Sequence, residues 1–373
     1  MKKIIIVANA SKEHVRKFCI PLIGQLQENG WTVDVACRMD VPVPECDTAY
    51  DLPCDRNPFR GGIAKSVKVL KEILQKDNYD ILVCSTVVGS IIARLAAASF
   101  RKKGLKVIYM CHGLHFFPGA SVSRWVMGYP VEKFLESKTD VIIVTNDLDL
   151  ELVNKYLNIP HVEKSHSMGV NLSKFRSAAL SDDERVEQRK LLGIAPDDFV
   201  LTYVAEIIDN KNQTMLLNAF EIVRKTVLNA KLMLVGPEHD DGALRKLIES
   251  KGLQNEVMLL GWRSDVPMLL HLSDVYVASS KSEGLGLNLI EAMACDLPVV
   301  ATKNRGHLEI VCHDKNGYLV DINDHENMAA HVLRLHDDAE FRSRITQQAQ
   351  QDIVKFGTEE AIKELVEMVE RHA

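Results

Sequence analysis

The sequence predicts an α/β fold made of two domains, each with a parallel sheet covered by helices on both faces. Apolar runs that suit buried strands alternate with amphipathic stretches along the whole chain, which is typical of repeated strand–helix units. With 373 residues, the chain is long for one domain and large enough for two hydrophobic cores. We therefore expect two similar sheet domains with a cleft between them.

The first half of the chain contains five apolar runs that predict strands. They lie at 4–9, 31–37, 80–86, 106–113 and 140–146. Helices are expected between them, near 13–29, 62–76, 90–101 and 122–138. The first of these helices ends at Asn29 and Gly30, a pair that favours a turn. This order of elements predicts a parallel sheet with ligand-binding loops beyond the C-terminal ends of its strands.

The second half repeats the pattern after a polar segment that follows Phe175, and we place the domains at 1–172 and 173–373. Strands are expected at 199–206, 231–236, 257–261, 275–278 and 299–301. Helices are expected at 211–229, 242–251, 287–294, 325–338 and within 340–371. The last helix, about 356–373, could return to pack on the first domain.

Composition excludes several classes of protein. At 46% hydrophobic and 26% charged residues, the chain is globular rather than disordered or fibrous. No apolar run approaches the ~18 residues that span a membrane, and the run at 4–9 predicts a strand rather than a signal peptide. The eight cysteines form no CxxC pair, so we expect reduced thiols in a cytoplasmic protein, without a zinc or redox site.

Charge is distributed unevenly. Residues 1–170 hold 22 Lys and Arg against 18 Asp and Glu, although the whole chain has a net charge of −6. The segment 81–131 contains six basic residues and no acidic one. An anionic membrane surface reached by Arg101, Lys102 and Lys103 is one explanation, and a solvated helix end is the other. The acidic balance of the chain argues against nucleic acid as a partner.

One stretch, 274–305, combines glycines and carboxylates in a way that predicts a ligand site. A buried strand is followed by a turn with Gly284 and Gly286, which allow a ligand to approach the backbone, and then by a helix. Backbone N–H groups at the start of a helix attract anions. Glu283 and Glu291, eight residues apart, suit hydroxyl groups. The combination indicates a sugar nucleotide with its diphosphate on the turn.

Polar residues after other strands could complete this site. Lys211 and the 261–265 loop, which contains Arg263, follow strands of the second domain, and His112 lies at the C-terminal end of a strand of the first. A histidine there can hydrogen-bond a hydroxyl or transfer a proton, whereas His115 could simply pack beside its aromatic neighbours. The sequence contains no HExxH, phosphate-loop, GxSxG or DxD motif, so metal hydrolysis, ATP hydrolysis and serine chemistry have no support.

Taken in order, these motifs resemble the retaining GT-B glycosyltransferases of family 4, in the branch that makes bacterial capsules and exopolysaccharides. The E-x7-E signature of that family matches Glu283 and Glu291. Further matching segments are His112-Gly113-Leu114-His115-Phe116, Gly169-Val170-Asn171 with Phe175, Lys211-Asn212-Gln213, Pro298-Val299-Val300-Ala301-Thr302, Asn304-Arg305-Gly306-His307 with Glu309, and Asn316-Gly317-Tyr318-Leu319-Val320. The resemblance implies two Rossmann-like domains that face each other across a cleft.

The resemblance also implies roles for the candidate residues. His112 and Glu283 would bind the donor sugar, Glu291 the ribose, and Lys211 the diphosphate of the leaving group. The other donor-binding candidates are Glu206, Arg263, Gly284, Leu285, Gly286 and Leu287. The leaving diphosphate would be stabilised by fixed protein donors, without a metal or a cofactor. The donor phosphate itself would take the proton of the acceptor hydroxyl.

Two departures from the family pattern affect these assignments. Glu206 occupies a position where many members have an arginine, so Arg263 or Arg305 would have to supply the missing positive charge. The loop after the first strand lacks the double glycine that many members have. Ser11 and His14, which lie in that loop, are instead candidates for contacting the acceptor.

The resemblance thus implies a retaining hexosyl- or N-acetylhexosaminyltransferase. Its donor would be a nucleotide-diphosphate sugar, in particular a UDP-sugar. Its acceptor would be a glycan or a polyprenyl-linked oligosaccharide in capsule, exopolysaccharide or O-antigen synthesis. The enzyme would act in the cytoplasm, as a peripheral protein at the inner face of the membrane. Two alternatives stay open: a UDP-sugar epimerase of the same architecture, and a non-catalytic nucleotide-sugar-binding protein. The glutamate at position 206, in place of an arginine, is the feature that keeps the second alternative open.

Overall fold

Each of two units in the protein is built on one parallel sheet, which confirms the predicted fold class. The structure, a computed structural model, describes residues 2–55 and 62–373. One unit comprises Met1–Gly169 and Thr358–Ala373, and the other comprises Val170–Gly357. The end of the chain, where the sequence indicated a helix that could return, is thus part of the first unit.

The first unit contains a seven-stranded sheet. Its strands are β1 (Lys3–Ala10), β2 (Thr32–Arg38), β3 (Thr48–Asp51), β4 (Ile81–Ser85), β5 (Lys106–Met110), β6 (Val141–Val144) and β7 (His161–Lys164). They pair in the order β3-β2-β1-β4-β5-β6-β7, and all pairs are parallel. The order reverses beside β1, so the C-terminal ends of β1 and β4 flank the crevice where such sheets bind ligands.

The second unit contains a six-stranded sheet of the same kind. Its strands are β8 (Phe199–Val204), β9 (Ala230–Val235), β10 (Val257–Gly261), β11 (Val275–Ala278), β12 (Val299–Thr302) and β13 (Tyr318–Val320). They pair in the order β10-β9-β8-β11-β12-β13, again all parallel. The corresponding reversal lies between β8 and β11, so the loops after these two strands are the expected ligand-binding loops.

Helices cover the faces of both sheets. They are α1 (Ile20–Glu28), α2 (Ile63–Lys76), α3 (Val87–Ala97), α4 (Val122–Leu135), α5 (Asp147–Tyr156), α6 (Leu172–Arg176), α7 (Asp182–Leu191), α8 (Gln213–Thr226), α9 (Ala243–Ser250), α10 (Val266–His271), α11 (Leu287–Ala294), α12 (His325–Asp337), α13 (Ala339–Asp352) and α14 (Thr358–Arg371). A π-helical segment, Ser11–Cys19, precedes α1. Within the described residues, every helix is too short or too polar to cross a membrane.

The core of the first unit shows why β1 is buried on both faces. Ile5 and Val7 belong to the hydrophobic cluster on one face, and Ile4 and Ile6 to the cluster on the other. Successive side chains of a strand point to opposite faces, so a continuous apolar run fills both clusters. Helix α14 contributes to the cluster that contains Ile4 and packs against α1.

Three strands were not predicted from the sequence. β3 and β7 form the two edges of the first sheet, and their side chains are mostly exposed or half-buried. β13 is buried but only three residues long. β3 and β7 contain polar residues, and β13 is too short, so none of the three gives a clear alternation. They form because a neighbouring strand offers hydrogen-bond partners.

Candidate active site

Two residues predicted to bind the donor form an ion pair at the C-terminal ends of β8 and β11. Lys211 closes a short 3₁₀ turn after β8, and Glu283 lies in the loop between β11 and α11. Lys211 Nζ is 2.6 Å from Glu283 Oε1, and the side chains are only 20% and 16% exposed. Partial burial strengthens the attraction because less water screens the two charges.

Hydrogen bonds join the loops that carry this pair. Asn210 Nδ2 donates to the carbonyl oxygen of Ser282 (2.9 Å). The Lys281 N–H donates to the carbonyl oxygen of Asn210 (2.8 Å). Ser279 Oγ donates to the carbonyl oxygen of Lys211 (2.8 Å). These bonds fix the backbone on both sides of the pair, so the lysine and the carboxylate are held in place before any ligand binds.

The turn that leads into α11 is tight at Gly286. The Leu287 N–H donates to the carbonyl oxygen of Leu285 (3.0 Å), and Gly286 between them has φ −80° and ψ 67°, which is an inverse γ-turn. A Cβ atom at Gly286 would lie 2.8 Å from His307 Cδ2, so glycine is needed here for space. The side chains of Leu285 and Leu287 pack against the core, so a ligand on this turn would meet mainly backbone.

A loop after β12 supports the Glu283 turn. Asn304 Oδ1 accepts hydrogen bonds from the N–H groups of Gly306 and His307, both at 3.1 Å. Arg305 Nε donates to the carbonyl oxygen of Glu283 (3.2 Å). A Cβ atom at Gly306 would lie 2.9 Å from Cβ of Glu283. Close packing therefore places a half-buried arginine directly beside the turn.

His307 lies fully buried against this turn. Its Nδ1 is 2.8 Å from the carbonyl oxygen of Thr302, which can only accept, and 3.0 Å from Asn304 Nδ2, which can only donate. Burial lowers the pKa of His307 to about 4, against the opposing effect of Glu283. Among the described residues, Nε2 has no hydrogen-bond partner. The sequence matched His307 to a family motif but gave no sign of its burial.

Glu291, the second glutamate of the signature, lies on α11 and is half-buried. Burial raises the pKa of its carboxyl to about 7, and the positive charge of Lys174 partly opposes this shift. A carboxyl group with such a pKa changes its charge within the physiological range of pH. Its ability to accept hydrogen bonds from ribose hydroxyls would therefore depend on pH.

Two other predicted donor-binding residues are not joined to the Lys211–Glu283 pair within the described residues. Glu206, just past β8, is exposed to solvent. Arg263, past β10, forms an ion pair with Asp265, with Nε 2.8 Å from Oδ1. In residues 2–55 and 62–373, the side chains of Glu206 and Arg263 make no hydrogen bond or ion pair with Lys211 or Glu283. Of the two arginines that could replace the missing charge, Arg305 is the one beside the site.

In the first unit, His14 and His112 come together at the C-terminal edge of the sheet. Their ring centroids are 5.7 Å apart, and His14 Nε2 is 2.7 Å from Ser85 Oγ. His112 Nδ1 is 3.4 Å from Ser167 Oγ, and its shielded Nε2 has no partner in the part of the chain that the structure describes. Burial lowers the pKa of His112 to about 4; burial, with His112 nearby, lowers that of His14 to about 3. Both rings are therefore neutral at physiological pH.

The neighbouring residue Ser11 has a different environment. It is fully buried, and its hydroxyl accepts a hydrogen bond from the Val41 N–H (2.9 Å). This contact fixes the loop after β1 and turns the hydroxyl towards protein. The acceptor role of Ser11 stays a prediction, and its burial gives that role no support.

A strained turn lies at the same edge of the first sheet. Thr86 has φ 65° and ψ 153°, a conformation that is rare for a residue with a side chain. Asn9 Oδ1 accepts hydrogen bonds from Thr86 Oγ1 (2.8 Å) and from the Gly89 N–H (2.7 Å), which holds the turn in place. Asn9, the last residue of the strand predicted at 4–9, was not identified as a candidate from the sequence.

Comparison with known proteins matches each unit to a glycosyltransferase family. The family described as "Glycosyl transferase 4-like" matches residues 3–146, and "Glycosyl transferases group 1" matches residues 184–352. EpsD of Bacillus subtilis (strain 168), named as a glycosyltransferase, is 34% identical over 369 residues, which cover 98% of this chain and 96% of EpsD. An Escherichia coli UDP-Gal:α-D-GlcNAc-diphosphoundecaprenol α-1,3-galactosyltransferase is 29% identical, covering 74% of this chain and 70% of that protein.

Solved structures confirm the GT-B fold. Anabaena Alr3699/HepE, in complex with UDP and glucose, aligns over 100% of both chains with a TM-score of 0.81 and 19% identity. WaaG, a glycosyltransferase involved in lipopolysaccharide biosynthesis, aligns over 99% of both chains with a TM-score of 0.74 and 14% identity. Together with the two family matches, these similarities show that the chain belongs to the group 1 and family 4-like GT-B glycosyltransferases, enzymes of glycan synthesis.

Proposed function

We propose that this enzyme transfers a hexose or N-acetylhexosamine from a UDP-sugar to a hydroxyl of a glycan or polyprenyl-linked oligosaccharide, with retention of the anomeric configuration. The observation that carries the proposal is the Lys211–Glu283 pair at the reversal point of the second sheet. One member of the pair suits a diphosphate and the other suits sugar hydroxyls, so a single small site can bind both halves of a nucleotide sugar.

The groups around the pair suggest how the donor is held. Arg305, which donates to the carbonyl oxygen of Glu283, adds a second positive charge to this site, which can offset the glutamate at position 206. Glu291, on the helix that follows, is assigned to the ribose. The Gly284–Leu287 turn is assigned to the diphosphate through those of its N–H groups that face the ligand. Fixed positive charges aimed at the leaving diphosphate would lower the barrier without a metal or another cofactor.

The proposed reaction needs no protein side chain as base. The acceptor oxygen bonds to the anomeric carbon as the bond from that carbon to the diphosphate oxygen breaks. The acceptor proton passes to the departing diphosphate, and UDP leaves from the same face that the acceptor attacks. Lys211 and Arg305 stabilise the negative charge that grows on the diphosphate during this step. His112 and His14, neutral in the first unit, are assigned to hydroxyl groups of the sugar and the acceptor.

The donor and acceptor classes in this proposal are taken from relatives in the family. The Escherichia coli relative is named for a UDP-linked donor and an undecaprenol-linked acceptor. Another relative, 24% identical, is the Staphylococcus aureus capsular polysaccharide biosynthesis glycosyltransferase CapM. We therefore propose a role in the synthesis of capsule, exopolysaccharide or O-antigen. All eight cysteines are free thiols, which suits the reducing cytoplasm, where we place the reaction.

A product assay tests this proposal. The purified protein is incubated with a panel of UDP-sugars and with N-acetylglucosamine linked through a diphosphate to a short polyprenyl chain. The masses of the products are then measured by mass spectrometry. We expect one donor to give an acceptor heavier by one sugar residue, and Glu283→Gln to form this product about 100-fold or more slowly. An isomerised UDP-sugar formed without acceptor would instead establish the epimerase alternative. Full transfer activity in Glu283→Ala would show that the site is wrongly assigned.

A further inference from the structure

Helix α4 exposes an unusual number of apolar side chains. Of thirteen large apolar residues that are exposed in the described part of the chain, five lie on this one 14-residue helix. We call them the α4 face: Val122, Val126, Met127, Val131 and Phe134. At 3.6 residues per turn they occupy about half of the helix circumference. A soluble helix normally shows the opposite arrangement, with its polar side in water.

The other side of the helix is firmly attached to the first unit, so the helix cannot hide this face by rotating. The rings of Trp125 and Tyr129 pack against Phe116, at centroid distances of 5.4 Å each. Glu132 forms a buried ion pair with Arg94 of α3, at 2.6 Å between Nη1 and Oε2. The exposed apolar face is therefore a fixed feature of the folded protein.

Basic side chains border the α4 face. Arg124 and Lys133 are exposed, and Lys138, just past the helix, holds its ammonium group 4.0 Å from the centroid of the Phe134 ring. The two acidic residues nearby are already neutralised. Glu132 binds Arg94, and Glu136 binds Lys133 with Nζ 3.0 Å from Oε2. Lys133 and Glu136 cancel each other's charge, so Arg124 and Lys138 leave the border of the face positively charged.

A second basic group is attached to the end of the helix. Arg101 donates to the carbonyl oxygen of Ser137 and pairs with Asp140, with Nη2 2.7 Å from Oδ1. This anchors the turn that carries the exposed residues Lys102 and Lys103. Among the six basic residues in 81–131, Arg94 is buried and Arg101 is paired, so fewer of them can meet a ligand than the sequence predicted. Lys138, just past α4, adds a positive charge to this surface.

We propose that the α4 face docks the enzyme on an anionic lipid bilayer, with the helix lying in the plane of the interface. Apolar side chains in this arrangement enter the boundary between headgroups and acyl chains, while lysine and arginine meet lipid phosphates. A second copy of the chain fits the face less well, because a symmetric contact would bring the two basic borders against each other. The proposal concerns a surface of the first unit and does not depend on the donor site.

Vesicle binding tests the proposal. The full-length protein is mixed with vesicles of phosphatidylcholine alone or with one third phosphatidylglycerol, and bound protein is separated by flotation. We expect binding to the anionic vesicles and much less to the neutral ones. Val126→Ser with Phe134→Ser should weaken anionic binding by about tenfold, and Arg124→Glu with Lys138→Glu should abolish it. Lack of binding by the wild-type protein at low salt would refute the proposal.

Matched controls separate docking from general surface effects. Leu191→Ser with Leu228→Ser removes two equally exposed apolar side chains from the second unit, and Lys190→Glu with Lys246→Glu reverses two exposed charges there. Both control proteins should bind like the wild type. If the controls lose binding to the same extent, or the α4 variants retain it, the α4 face is not the docking surface. A wild-type dimer that the apolar α4 variant converts to a monomer, with vesicle binding unchanged, would likewise overturn the proposal.

Discussion

Lys211 and Glu283 lie 72 residues apart in sequence, yet Nζ of one is 2.6 Å from Oε1 of the other. A bound nucleotide sugar would bring new partners for both groups, since the diphosphate attracts the ammonium and sugar hydroxyls donate to the carboxylate. Neither group has to be buried without a partner before the donor arrives, which limits the cost of keeping two charges in a partly desolvated site. The two charges therefore stabilise each other in the free enzyme until the donor binds.

The first prediction concerns this pair. Lys211→Met and Glu283→Gln should each lower kcat/KM by about 100-fold or more, because each removes a group that contacts the donor. The double variant should lose less than the product of the two single losses, because each single change also leaves the other group without its partner. Steady-state kinetics with the donor found in the product assay provide the measurement.

The same loops offer a control for this prediction. Lys281 and Asp209 form an exposed ion pair, 2.6 Å between Nζ and Oδ1, a few residues from the first pair. Lys281→Met should change kcat/KM by less than about threefold, because exposed pairs contribute little. If it has as large an effect as Lys211→Met, the losses reflect general damage to the loops rather than the chemistry of the site.

A second prediction distinguishes the two arginines. Arg305→Gln should weaken UDP binding by about tenfold, equivalent to about 1.4 kcal/mol, because Arg305 lies beside the Glu283 turn. Arg263→Gln should change it less than about threefold, since Asp265 already engages that guanidinium. Isothermal titration calorimetry with UDP decides between them. A larger effect at Arg263 would restore the donor role that the sequence suggested for it.

Regular elements of the fold were predictable from the sequence because each carries its own pattern. The strand at 275–278 and the helix at 287–294 have the predicted bounds, since an uninterrupted apolar run and a 3.6-residue spacing are local signals. The edge strand β3 has no such signal. Its formation depends on hydrogen bonds to β2, a property of the assembled sheet.

The site could be predicted as a set of residues but not as a geometry. Glu283 and Lys211 were identified from motifs, whereas their pairing depends on how two distant loops pack. The reason for Gly286 was also hidden: the sequence indicated a backbone that a ligand approaches, and the structure shows the ring of His307 against it. Burial and side-chain contacts of this kind depend on tertiary structure, and spacing along the chain does not encode them.

A third prediction concerns pH. The pKa of Glu291 is raised to about 7, so its ionised fraction increases by about tenfold between pH 6 and pH 8. If Glu291 accepts hydrogen bonds from the ribose, uridine should bind up to about tenfold more tightly at pH 8. Uridine is the useful probe because it has no phosphate that titrates in this range. Calorimetry or ligand-detected NMR gives the affinity.

The variant Glu291→Gln is the control for that experiment. Its uridine affinity should be weaker and independent of pH between 6 and 8. The pKa of the Glu291 carboxyl is raised from about 4.5 in the unfolded chain to about 7 in the folded protein. Its contribution to stability is therefore full below about pH 4.5 and is lost as the pH rises through about 7. Glu291→Gln lacks this titration, so it should lose less stability than the wild type between pH 6 and pH 8. A pH dependence of uridine binding that persists in the variant would point to another group.

A fourth prediction concerns close packing at Gly306. In Gly306→Ala, the new Cβ atom would lie 2.9 Å from Cβ of Glu283 and 3.0 Å from the Glu283 carbonyl group, so the turn must move. We expect lower stability and a loss of kcat/KM of about tenfold or more. Gly24→Ala is the matched control, because nothing lies within 4 Å of the new Cβ in helix α1. It should raise stability by about 0.5–1 kcal/mol, with unchanged activity.

The last prediction concerns the buried pair that attaches α4 to α3. Arg94 is fully buried, with Glu132 at 2.6 and 3.1 Å and the ring of Tyr109 4.2 Å from its guanidinium carbon. Glu132→Gln should lower the free energy of unfolding by about 3 kcal/mol, because the buried guanidinium loses its counter-charge. Arg94→Met with Glu132→Leu should recover much of that loss, because neither charge is then buried.

Urea denaturation measures these free energies, and the double variant also tests the α4 face. If the pair serves only to fix the helix, the double variant should fold and bind anionic vesicles like the wild type, because the exposed residues and the basic border are unchanged. A single variant as stable as the wild type would show that the pair contributes little. A stable double variant that has lost vesicle binding would mean that the buried charges shape the docking surface directly, beyond their role in attaching the helix.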